Sequence, residues 1–402
     1  MERTCDTLQP WFTEKTNCPF NSLRSLQHRA CSIVYGTTGM PKVYWKDRVN
    51  WTSMLYKGTE INLEHVRNVC ENTETEMLHL SEDKVLLGLD LRVDYKDVVE
   101  DLTNRDVGYS FLSDRRNEAF QDWTILLKAI LDNPAQHARF LHVDHQRKEV
   151  VWNTKELKEW LSNYAQLNLL SLLRSEMLGG APGRATELTA MLKENSETQS
   201  AKNVAFLDKY LSIIRMYHKG SNLTGQDKLL PHAVDGFTSD IMVQDLALAR
   251  PFAEMAIHIC YPEDKDLKLM YQQSLFVNHK RLFTTEDLTD IMKKYTLPMI
   301  GLGLGVSDWR HISITWKGKL CSEVVALYEG CFEGDTADVL QAGHNRGTED
   351  RIYGLSGDAG LGAAEDLLPK FLKASTKWQT VHKQVPGKKD RLLMILPQSE
   401  LR

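Results

Sequence analysis

The chain has 402 residues, 42% of them hydrophobic and 26% charged, a size beyond one small core and a composition that argues against a disordered or membrane-embedded protein. It reads as two domains, or as one large domain with extensions. A net charge of -5 argues against a globally basic nucleic-acid binder, so any DNA-binding surface must be a local patch.

The opening MERTCDTLQPWFTEK places Glu2, Asp6 and Glu14 where a signal peptide needs an apolar run, and no stretch has the length and apolarity to cross a bilayer. An intracellular protein without membrane contact is expected. The seven cysteines form no close CxxC pair, which points to reduced thiols. Cys18, His28 and Cys31 offer three zinc ligands at a spacing that fits no common finger, so no metal is expected. The first fifty or so residues are turn-rich, with Pro19, Gly36, Gly39 and Pro41 interrupting any long helix.

From Asn62 the pattern turns helical: Ile61, Leu63, Val66, Val69, Met77 and Leu80 recur at helical intervals. The stretch from Asn117 to Val143 repeats that character, which predicts an all-α N-terminal half. Between them VLLGLDLRVDYKDVVEDL fits strand and helix equally. TKELKEWLSNYAQLNLLSLLRSEMLGG carries Leu157, Trp160, Leu161, Tyr164, Leu167, Leu170 and Leu173 on one broad face and stops at Gly179 and Gly180. A domain boundary is placed near residue 150. APGRATELTAML reads as a new helix start, with Pro182 before it, Thr186 as cap and Glu187 in the first turn.

VAFLDKYLSIIRMYHKGSNLTGQDKLLPH then sets two β-prone runs around a polar turn, a hairpin or small sheet with Lys219 and Gly220 at its tip. Helices return through ALARPFAEMAIHICYP and TTEDLTDIMKKYTLPMI, the latter capped by Thr284 with Asp287 in support. A glycine-rich entry leads to Asp308, Trp309, Arg310 and His311 at the start of a further helix, and CSEVVALYEGCFEGDTADV predicts another. Two local basic stretches, His142 to Lys155 and Lys377 to Arg391, read as a solvated face and a mobile tail.

Three short segments carry a resemblance. GRATEL is similar to the first arginine box of the tyrosine recombinases, the phage integrase family; SDWRH resembles their second box; and GHNRGTEDRIY looks like their Gly-His followed nine residues on by the tyrosine nucleophile. HKGSNLTGQDKLLPH stands where the family carries a lysine on a β-hairpin. More narrowly, the chain resembles the recombinase-like segments of fungal mobile elements of the Crypton type.

The resemblance implies a fold that is mainly α with a small β-hairpin or sheet: an N-terminal extension (1–50), a helical core-binding-like domain (51–150), a tyrosine-recombinase-like catalytic domain (151–376) and a basic tail (377–402). It implies the catalytic set Arg184, Lys219, Arg310, His344 and Tyr353, with Lys228, His311 and Ser307 contacting DNA.

Chemistry explains why such a set stays together. A phosphodiester is an anion, and two arginine forks hold its oxygens as charge builds in the transition state. A tyrosine forms a covalent phosphotyrosine that conserves the bond, so no cofactor is implied. A lysine protonates the leaving oxygen. Double-stranded DNA, a homo-oligomer assembled on it and the nucleus are the implied substrate, working form and location. Two departures stand against full activity: Ser307 replaces the family's histidine, and the interval from Arg310 to His344 is long. A non-catalytic DNA-binding module and an unrelated helical interaction protein are the alternatives.

Overall fold

The structure is a computed structural model that describes Leu26 and residues 43–144, 149–180, 189–199, 201–215, 230–321 and 362–387, with backbone alone at 144 and 362–367. It is mainly helical with small antiparallel sheets.

The described chain opens on strands, where the sequence pattern pointed to turns and helix. β1 (Val43–Trp45), β2 (Ser53–Tyr56) and β3 (Thr59–Asn62) form an antiparallel sheet. Met54 and Tyr56 alternate inward along β2. Lys57 and Gly58 join β2 to β3 with φ of 50° and 83°, the backbone that a two-residue type I′ hairpin demands. The division expected at residue 50 falls in the β1–β2 connection, inside one sheet.

Asn62 then caps α1 (Leu63–His79) by accepting from the His65 N–H. The ambiguous stretch 85–102 is neither strand nor helix past Val85. Side chains satisfy its backbone: Gln244 both accepts from Val93 N–H and donates to Val93 C=O, at 2.8 Å each, and Asn117 does the same for Val99. Local periodicity cannot announce partners so far away in sequence.

Two short helices, α2 (Ile125–Asp132) and α3 (Pro134–Phe140), lead into β4 (Leu141–Asp144), which pairs with β5 (Glu149–Trp152). The expected all-α N-terminal half is therefore corrected at both ends. The basic stretch from His142 belongs to a hairpin whose Val143, Val150 and Val151 favour extended backbone.

The central element is α4 (Thr154–Leu178), capped by Asn153 and ended at Gly179. Its last nine residues are all buried, the mark of a helix surrounded by protein. β6 (Val204–Leu207), β7 (Tyr210–Arg215) and β8 (Leu230–Ala233) form a three-stranded sheet in that order, the small sheet of the two forms expected.

α5 (Gly236–Gln244), α6 (Arg250–Cys260) and α7 (Lys265–Gln273) follow. α8 (Thr285–Ile300) has the capping box between Thr284 and Asp287, and α9 (Val306–Leu320) carries the SDWRH segment. α10 (Gly362–Val381) packs on β8. It runs through residue 376, and Trp378 and His382 lie in the interior, so the start of the expected mobile tail is core instead. One core cluster runs from Met54 to Trp378, continuous across residue 150. No helix among the described residues has the length and apolarity to cross a membrane.

Candidate functional site

Of the residues singled out from sequence, Arg184, Lys219, Lys228, His344 and Tyr353 lie outside the described residues. Ser307, Arg310 and His311 occupy the first turns of α9, with Ser307 and His311 exposed and Arg310 half-buried. The start of α9 is fixed by Asp308, whose Oδ2 accepts from Gly305 N–H at 3.2 Å. Its Oδ1 accepts from Tyr56 Oη at 2.8 Å and Lys57 Nζ at 2.6 Å. Burial alone would raise the Asp308 carboxyl, but the bonds from Lys57 and Tyr56 outweigh it and hold the group below its usual range. Next to it, Trp309 is fully buried against Trp378 and His382. Arg310 thus follows a pinned carboxylate and a packed indole in the chain.

Arg310 and Lys317 lie about two turns apart on one stripe of α9, since seven residues return within about 20°. Lys317 is 1% exposed, and its charge reaches His232 on β8. Burial first, then the charges of Arg215 and Lys317, hold the His232 imidazole well below its ordinary value, so it is neutral. Its Nδ1 lies 3.0 Å from the carbonyl oxygen of Gly179, which makes Nδ1 the protonated nitrogen. Arg215 ends β7 and forms a buried ion pair of 3.2 Å with Glu176 of α4.

The end of α4, the inner ends of β7 and β8 and one stripe of α9 therefore meet around His232. Each leads to or carries an expected motif: Gly179 precedes Arg184 by five residues, Arg215 precedes Lys219 by four, and His232 follows Lys228 by four. Glu176, Arg215, His232 and Lys317 were not anticipated. Lys317 was within reach of a pattern argument, as the inward residue two turns beyond Arg310. His232 and Glu176 were not, because no sequence spacing shows that β8 lies against the end of α4.

Arg250 of α6 is structural. Arg250 is fully buried and donates to Tyr164 Oη, Asn168 and the carbonyls of Tyr271, Ser274 and Leu275, so it organises the α4–α6–α7 junction. Among the described residues no group of three or more His, Cys, Asp or Glu side chains is placed to hold a metal ion. Cys70, Cys260 and Cys321 carry free thiols. No model of a known protein family matches the sequence, and no solved structure matches the chain.

Proposed function

We propose that this chain is a site-specific tyrosine recombinase of mobile-element origin that breaks and rejoins double-stranded DNA through a 3′-phosphotyrosine intermediate. The observation that supports it most is the convergence around His232. In the chain, Gly179 stands five residues before Arg184 and Arg215 four residues before Lys219. The ends of two elements that precede basic motif residues in sequence, and Lys317 on the helix that bears Arg310, act on the same imidazole, which supports the reading.

In this reading Arg184 and Arg310 clamp the non-bridging oxygens of the scissile phosphate. Tyr353 Oη gives up its proton to His344 or to water and attacks phosphorus as the phenolate; a P–O bond to tyrosine forms and the P–O5′ bond breaks. Lys219, with Lys228 as the reserve, gives its proton to the departing 5′ oxygen. His344 hydrogen-bonds the phosphate or the tyrosine oxygen, and His311 substitutes for the histidine the family has at position 307. The 5′ hydroxyl of another strand reverses the step, which is why a homo-oligomer on DNA, acting in the nucleus, is the working form.

The test is a suicide substrate, a nicked duplex of the target whose cut fragment diffuses away. A covalent adduct is expected without added metal or ATP, and Tyr353→Phe is expected to abolish it while DNA affinity stays within about twofold, since one hydroxyl and little volume are lost. An adduct that survives Tyr353→Phe would assign another nucleophile.

A second reading is favoured by Ser307, exposed on the first turn of α9 where the family has histidine. It is a DNA-binding module that no longer cleaves. Tight, salt-dependent duplex binding with no adduct, even after Ser307→His, selects it.

A further inference from the structure

The last carbonyls of a helix have no partner within it and are usually met by water or by a following turn. At the end of α4 there is no water-facing side, because Met177, Leu178, Gly179 and Gly180 are all buried. Donors come instead from side chains far away in sequence. Trp378 Nε1 donates to Met177 C=O at 2.9 Å, and Gln379 Nε2 to Leu178 C=O at 3.4 Å. Ser375 Oγ and His232 Nδ1 donate to the same Gly179 oxygen, at 2.8 Å and 3.0 Å. Gln379 also donates to Ala233 C=O at 2.8 Å, tying α10 to β8. Side-chain room is absent as well: a Cβ on Gly179 would come 2.6 Å from Ser175 C=O and 3.5 Å from the His232 Cβ.

We infer that His232, Ser375, Trp378 and Gln379 form a carbonyl clamp that sets the direction in which the chain leaves α4 toward Arg184. The inference rests on the recombinase reading for its catalytic consequence. One oxygen atom, that of Gly179, joins three segments: the one before Arg184, the strand after Lys228 and the helix after Tyr353. His232 and Ser375 are positioning residues, since they act through the backbone. Displacement of a phosphate-binding group by about 1 Å costs about a hundredfold in rate, so loss of a donor is felt in strand cleavage more than in DNA binding.

His232 must present a donor at the Nδ1 position and nothing at Nε2, which has no hydrogen-bond partner among the described residues. The cations that act on it are Arg215 on β7, itself paired with Glu176 of α4, and Lys317 on α9. A protonated imidazole is disfavoured first by burial and then by the two cations, and the clamp works with a neutral ring.

The experiment compares His232→Leu, His232→Asn and Ser375→Ala with the unmodified full chain. It measures single-turnover adduct formation on the suicide duplex, duplex affinity, and backbone hydrogen exchange across residues 176–188. Leucine removes the donor, whereas asparagine offers an amide N–H near the Nδ1 position. Expected are a 10- to 100-fold slower adduct for His232→Leu, recovery to within about threefold for His232→Asn, an intermediate loss for Ser375→Ala, and affinity unchanged within about twofold.

Wild-type adduct rates in both His232→Leu and Ser375→Ala overturn the clamp while leaving the recombinase reading in place. So does a His232→Asn variant as slow as His232→Leu at equal stability. If the unmodified protein forms no adduct, the recombinase reading falls, and hydrogen exchange decides the clamp alone: faster exchange in His232→Leu with recovery in His232→Asn upholds it, and unchanged exchange overturns it.

Discussion

Toward its C-terminal end the described chain is tied to the interior by groups that water does not reach. Arg174 of α4 donates to Thr238, Cys70 C=O, Asp235 and Gln384, and its side chain and that of Asp235 are each 1% exposed. Toward the N-terminal end, the first sheet is tied to α9 across a wetter contact. There Lys57 and Asp308 are 55% and 23% exposed, and Lys319 lies over the Trp51 ring at 4.7 Å. Both contacts join residues more than sixty positions apart, and both use ion pairs. They differ in what replaces a missing partner. Water substitutes for a lost group at the sheet, whereas at α4 a lost group leaves its partners stranded.

The largest effect should therefore come from Arg174. Arg174→Met keeps much of the volume and removes every donor, leaving Asp235 buried without its cation, together with Thr238 and the carbonyl of Cys70. Breaking a buried pair from one side costs about 3–5 kcal/mol, read as a shift of the urea midpoint at unchanged m-value. A loss below about 1 kcal/mol would mean that Asp235 reaches solvent in the variant, and the contrast between the two regions would collapse.

His382 sharpens the contrast through pH. It is fully buried between Trp309 and Trp378, its ring 4.3 Å from that of Trp378, and neither ring nitrogen has a hydrogen-bond partner among the described residues. Burial, aided by the charge of Arg67, pushes its pKa down to about 3. A group whose folded value is depressed in this way stays neutral when folded while the unfolded chain takes a proton below about 6.5. Stability contributed by the neutral ring is full above that value and is lost as pH falls from about 6.5 toward 3. The slope is about 1.4 kcal/mol per pH unit for one such proton. His382→Phe is expected to remove that share: between pH 6.5 and 5 it should lose about 2 kcal/mol less than the unmodified chain. Superimposable pH profiles would show that His382 is protonated in the fold. His232 shifts in the same direction and keeps part of the slope in the variant.

The two regions also differ in how far sequence revealed them. Periodicity and caps marked α4, with its stop at Gly179, and α8, with its Thr284 cap, because those signals are local. The mainly helical class was visible for the same reason. The first sheet was missed: its strands are three or four residues long, and the Lys57–Gly58 turn lacks an Asn-Gly or Asp-Gly signal. The burial of Trp378 and His382 was hidden by the lysines around them, since a basic stretch looks the same in a tail as on the outer side of a packed helix. For the candidate site, the Arg310 helix was legible and its surroundings were not. Glu176, Arg215 and His232 come together only once β7 and β8 lie against the end of α4, which is a tertiary fact.

The smallest effect belongs to Lys57, and it carries the contrast to its limit. An exposed ion pair is worth about 0.2–1 kcal/mol, even though its Nζ–Oδ1 distance of 2.6 Å is shorter than the 3.0 Å of the Arg174–Asp235 pair. Distance alone would rank the two pairs the other way. In Lys57→Ala, Asp308 keeps the Tyr56 hydroxyl and the Gly305 N–H, and the sheet keeps the bond of 2.9 Å from Trp316 Nε1 to Trp51 C=O. Water supplies the rest. The midpoint should shift by less than about 1 kcal/mol, and about 0.5 M salt should shrink the difference further, because charges at an exposed contact are screened. The Arg174→Met loss should be nearly indifferent to the same salt. Equal salt sensitivity of the two variants would mean that solvent reaches both pairs alike, and burial would no longer explain which one the fold depends on.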